Sequence, residues 1–148
     1  MKRGFSLYEI LIVVAILGIL AAIVMPEFQS HSQEAKEAAA KDNLRILRQQ
    51  IDLYATRNND VPPGYPGNNV DAPVFEHEFL IGMVRGKYIT KMPENPFNNK
   101  TSLLMIANDN SLPAEATGEY GWIYQPKSET IKLDWPGIGI DGIRYYDY

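Results

Sequence analysis

Sixteen consecutive apolar residues, Ile10 to Met25, constrain this chain more than any other stretch. A helix built from them has no polar face, so it cannot be the half-buried surface helix of a small soluble domain. With Phe5 and Leu7 added on its N-terminal side, the block reaches the length of about 20 residues that crosses about 30 Å of hydrocarbon. A removable secretory signal would finish in a small-residue A-x-A junction, whereas this run finishes in "AAIVMPEF". Lys2 and Arg3 precede the run and, by the cytoplasmic excess of positive charge, send the remainder of the chain across the membrane. One residue breaks the pattern. Glu9 lies inside the apolar block, where a carboxylate costs about 2.5–3.5 kcal/mol even on lenient insertion scales and normally serves a partner. The other reading of Glu9 is a side chain snorkelling toward headgroups. Pro26 removes one backbone hydrogen bond at the end of the run, so it either bends the helix there or marks where the span stops.

The remainder reads as one modest domain. From Glu27 to about Thr56 there is no Gly or Pro, and Leu44, Leu47, Ile51 and Tyr54 recur at steps of three, four and three, one stripe of an amphipathic helix. Glu37 and Lys41 form an i,i+4 pair in the favourable order. "RNNDVPPGYPGNN" cannot continue a helix, a further helical turn or two is expected around Phe79 to Val84, and "ENPFNNKTS" is turn chemistry. Tyr120, Trp122 and Tyr124 alternate, as do Ile131, Leu133 and Trp135, which predicts an antiparallel hairpin joined through "QPKSE". Two strands alone are marginal, and the helical stripe is the long apolar face available to cover them. The expectation is therefore α+β: a long helix, membrane-spanning in its first half and amphipathic in its second, packed on a small antiparallel sheet.

Several function classes are set aside by residue content. The chain has no cysteine, hence no disulfide, thiolate metal site or Cys nucleophile. A formal charge of −4 gives no basic nucleic-acid footprint. Gly-rich phosphate loops, HExxH and GxSxG are all missing from the sequence, so no enzyme is expected. His31 and His77 stand alone in the sequence.

The stretch "KRGFSLYEILIVVAILGILAAIVMPEF" resembles the N-terminus of type IV pilin-like proteins, in which a basic leader ending in Gly precedes Phe, a Ser/Thr-Leu pair and Glu. The resemblance implies a pilin-like fold and three segments: a leader, 1–4; a transmembrane and assembly segment, 5–26; and a soluble domain, 27–148. It also implies cleavage after Gly4 by a prepilin peptidase, N-methylation of Phe5, and a charge pair between Glu9 and the Phe5 amine of a neighbouring copy. Tyr8 departs from the aliphatic residue more usual before the Glu. A second stretch, "GKYITKMPENPFNNK", resembles the segment of type II secretion major pseudopilins that carries Tyr-Leu, Lys-x-Pro and Asp-Pro-Trp-Gly, with Asn95 standing for Asp and Phe97 for Trp. On that resemblance the partners are further copies of the chain in a helical homopolymer, minor pseudopilins, an inner-membrane assembly platform with its secretion ATPase, and membrane lipid. The subunit is expected to sit in the inner membrane as a single-pass protein with its C-terminal part outside the cytoplasm. Alternatives are a type IV pilus pilin and a singly anchored sensor or adhesive domain that does not polymerise.

Pseudopilins of this kind often hold calcium in the loop after the hairpin, and "LDWPGIGIDGIRYYDY" offers Asp134, Asp141 and Asp147 among glycines. Oxygen ligands on such a loop suit a hard cation. A solvated acidic loop is the alternative, since no dense D-x-D-x-D spacing occurs.

Overall fold

The computed structural model describes residues 6–148, with the side chains at 26–30 excepted. Two compact units are present, 1–35 and 36–148. Helix α1, Leu7–Arg57, contributes to both. Gly4 and Phe5 lie outside the described residues, as does the side chain of Pro26, through whose position the helical assignment continues.

In the first unit, Leu7–Met25 is long and apolar enough to cross a membrane, and every one of its side chains is exposed. Apolar residues around the whole helix circumference leave no polar face to turn toward water.

In the second unit α1 changes character. Ala40, Leu44, Leu47 and Ile51 are buried at helical spacing, with Leu44, Leu47 and Ile51 at most 1% exposed. The helix stops where Asn59 and Asp60 take left-handed backbone (φ 57° and 59°) and the Asp60 N–H closes on the Ala55 carbonyl at 2.9 Å. Short polar side chains tolerate that conformation, and Pro62 and Pro63 forbid a restart.

Three strands cover the stripe: β1 (Leu103–Met105), β2 (Trp122–Gln125) and β3 (Thr130–Leu133), in the order β1-β2-β3. The expected hairpin is β2 with β3, antiparallel, pairing Trp122 with Leu133 and Tyr124 with Ile131. Its connection turns through Pro126–Ser128 and a left-handed Glu129. Two features differ from the sequence expectation. The sheet is mixed, because β1 pairs with β2 in parallel (Leu103 with Trp122). The hairpin is also shorter than the alternation of aromatics suggests, ending at Leu133 and starting at Trp122. The Asp134 carboxylate takes the Tyr120 N–H at 2.8 Å, which removes Tyr120 from the ladder, and Pro136 follows.

As the central strand, β2 is buried on both faces. Trp122 and Tyr124 join Leu44, Leu47, Ile51, Ile131 and Leu133 in one core. Phe79 of α2 (Glu76–Leu80) and Met83 of the π-helical turn that follows (Ile81–Arg85) close it, the Phe79 and Tyr124 rings lying 5.0 Å apart. Helical turns thus form around Phe79 to Val84 as expected.

The "ENPFNNK" stretch is a buttress. Asn95 is fully buried; its Nδ2 donates to the Gly121 carbonyl (3.1 Å) and the Asp134 carbonyl (3.4 Å), and its Oδ1 accepts the Phe97 N–H (2.9 Å). Phe97 stacks on Trp135 and meets Tyr145, while the Trp122 indole donates to the Pro93 carbonyl at 2.9 Å. Gly121 has to be glycine here, since a Cβ would run into the Lys100 carbonyl oxygen.

Candidate functional site

At the start of α1, Glu9 is not a bare carboxylate. The Ser6 N–H donates to Glu9 Oε2 at 2.9 Å and the Glu9 N–H donates to Ser6 Oγ at 3.2 Å. This reciprocal arrangement is a capping box, with Ser6 as N-cap and Glu9 three residues on, and it satisfies donors that a helix start otherwise leaves unpaired. Ser6, which the sequence marks only as the Ser of a Ser-Leu pair, is thus the N-cap, and S-x-x-E before an apolar run is the signature of that role. A carboxylate carries about four lone-pair sites, so one N–H from Ser6 leaves Glu9 capacity for a further donor.

In the second unit the three aspartates considered for calcium are in different surroundings. Asp134 is completely buried, and its oxygens accept four donors: the N–H groups of Thr117 (2.6 Å), Gly118 (3.1 Å) and Tyr120 (2.8 Å) and the Thr117 hydroxyl (3.0 Å). It organises the 117–120 loop. Asp141 lies 2.6 Å from the Lys41 ammonium and also accepts the Ile143 N–H at 3.0 Å. The Lys41 hydrogen bond foremost, then that of Ile143, holds its carboxyl below the usual carboxylate range. Asp147 pairs with Arg144 (2.6 Å) and Lys132 (3.3 Å), and the Arg144 hydrogen bond is the main cause of its lowered pKa.

A calcium ion asks for six to eight oxygen ligands. Asp134 turns its lone pairs to N–H and O–H donors, and Asp141 and Asp147 turn theirs to ammonium and guanidinium groups. Each of the three thus faces donors of its own chain, and among the described residues no group of three or more His, Asp or Glu is arranged to hold a metal.

What gathers in this region is a contact between α1 and residues 137–148. Glu37, 6% exposed, accepts the Ile140 N–H (3.1 Å), the Tyr145 hydroxyl (2.9 Å) and the Tyr148 hydroxyl (3.2 Å). Burial first, then the Glu37 charge, pushes the Tyr148 hydroxyl up from its ordinary pKa. The Lys41 ammonium also sits 4.2 Å from the centroid of the Tyr148 ring. Glu37 and Lys41, read in sequence as a surface pair, both reach across to this segment. Arg48 Nη2 adds a bond to the Tyr148 carbonyl at 2.8 Å.

The family model described as the prokaryotic N-terminal methylation motif matches residues 1–25. Among curated proteins, a type II secretion system core protein G of Aeromonas hydrophila is 28% identical over 143 residues, 95% of this chain and 85% of that protein. The protein of the same name from Pseudomonas aeruginosa is 35% identical over 100 residues (66% of this chain, 70% of that protein). The one from Klebsiella pneumoniae is 31% identical over 105 residues (70% and 74%). No solved structure matches the chain at comparable significance.

Proposed function

The chain belongs to the type II secretion system core protein G family, and on that premise we propose how it serves as a pseudopilin. A prepilin peptidase removes residues 1–4 after Gly4, and Phe5 becomes the methylated amino terminus. Residues 5–26 hold the subunit in the inner membrane as a single span, loosened at Pro26, while 27–148 stays outside the cytoplasm until assembly. The subunit is structural and catalyses nothing itself. Its partners are lipid, the assembly platform with its secretion ATPase, minor pseudopilins and, above all, other copies of itself.

One observation carries this reading: an apolar helix, exposed on every side from Leu7 to Met25, begins with a carboxylate held in place by its own capping box. A neighbour's Phe5 amine supplies the charge that a carboxylate in hydrocarbon needs. The contact joins two different surfaces of identical chains, so it propagates as an open helical filament.

Two measurements test it. Intact mass of the membrane-extracted subunit is expected to show a chain starting at methylated Phe5, and assembled material starting at Met1 would defeat the processing step. For assembly, Glu9→Gln is the sharper variant, because Gln keeps the capping-box hydrogen bond and removes only the charge. Glu9→Gln and Glu9→Ala are both expected at normal or raised levels in membranes, having lost a costly carboxylate, and both are expected to be missing from sheared filaments. Filaments from Glu9→Gln but not from Glu9→Ala would assign Glu9 to capping alone. Normal filaments from both would leave it without a role in assembly.

A further inference from the structure

Residues 137–148 are anchored at one end by the buried rings of Tyr145 and Tyr146, whereas the glycine-rich turn before them leaves Ile138, Ile140 and Ile143 exposed. That turn, 138–143, is held by polar contacts. The aspartates of the segment and its flank each accept donors from the chain, and the donor facing Asp141 on α1 is an ammonium. We propose that the Lys41 ammonium is the built-in cation of this segment, taking the structural place of a divalent ion, so that its fold is independent of calcium.

The geometry supports this directly. Lys41 stands one helical turn after Glu37 on α1, so the two side chains lie on one face of the helix. The ammonium touches Asp141 Oδ2 at 2.6 Å on one side and the face of the Tyr148 ring on the other. Asp141 Oδ1 meanwhile fixes the Ile143 N–H at 3.0 Å and faces the Tyr148 hydroxyl at 3.4 Å. Tyr148 returns to Glu37 Oε2, and Glu37 takes the Ile140 N–H. The circuit Lys41, Asp141, Tyr148, Glu37 and back to α1 contains two carboxylates and one ammonium. Like a bound ion, the ammonium gathers oxygen and π-electron density from two points of the 137–148 segment around one positive centre. Unlike a bound ion, it cannot be chelated.

The test is hydrogen–deuterium exchange on the full chain in detergent, read at the peptide containing the Ile140 and Ile143 amides, in EGTA and in calcium chloride. Wild-type protection is expected to be the same in both buffers. Lys41→Met keeps the aliphatic stem and removes the charge; it is expected to speed exchange there about two- to fivefold, in keeping with the loss of one partly exposed ion pair. Lys41→Arg, which retains a cation of similar reach, is expected to restore protection. Added calcium slowing exchange in the wild type would overturn the proposal, and so would Lys41→Met exchanging like the parent. Loss of filaments in the Glu9 variants bears on assembly alone and leaves this inference untouched.

Discussion

Asn95→Asp is expected to destabilise the 36–148 unit by about 3 kcal/mol at neutral pH, the cost of burying a charge without compensation. Asn95 is fully buried and its amide donates to two carbonyls, those of Gly121 and Asp134. A carboxylate would face both with lone pairs, keeping only the Phe97 N–H. The substitution nevertheless brings the stretch nearer to the Asp-Pro pattern it resembles, so intuition from motif alone points the other way. Asn95→Ala separates donor loss from charge burial: it leaves carbonyls unpaired, at about 1–3 kcal/mol, but introduces no charge. The Asp variant is expected to be the worse of the two at pH 7 in denaturant titrations of the detergent-solubilised chain. The sign with pH follows from a folded-state pKa raised above its unfolded value of about 3.9. Below that value the variant carries no charge penalty, and stability falls as pH rises through the folded pKa. An Asn95→Asp chain as stable as its parent at pH 7 would show that the amide is not the donor described.

Leu47→Ala is the second large effect expected. Leu47 has no exposed surface and packs in the core shared by α1, β2 and β3. Truncating such a residue costs about 2–5 kcal/mol, by lost transfer energy and by the cavity left behind. That is a large share of the roughly 5–15 kcal/mol that stabilises a typical domain. Leu53, on the exposed side of the same helix, is the control, and Leu53→Ala is expected to stay close to the parent. If the two variants unfold at the same denaturant concentration, the stripe is not the surface that the sheet covers.

The stripe was legible because three- and four-residue steps have one structural meaning, and the hairpin because alternation persists through "WIYQ" and "TIKL". β1 was not. Three residues are too few to show a period, and a strand that joins in parallel leaves no turn signature next to it. At the candidate site, the sequence names residue types but not what faces them. Asp134 reads as a ligand until Thr117, Gly118 and Tyr120 fold back on it. Glu37 reads as half of a surface pair until Tyr145 and Tyr148 arrive from more than a hundred positions away. Ser6 with Glu9 is legible, since S-x-x-E ahead of an apolar run spells a capping box in local sequence alone.

The grip of α1 on residues 137–148 has a consequence for how the chain is made. Glu37 is synthesised about a hundred residues before Ile140, Tyr145 and Tyr148, which give it three of its donors. Contacts of such separation form late, after the entropy of closing a long loop has been met. A nascent chain therefore carries a carboxylate that its own fold cannot yet bury at low cost, and a ribosome product stopped short of residue 137 never can. Such products stay open longer and are exposed to proteases, so the Glu37 contact also acts as a check on whether translation has carried the chain through residues 137–148.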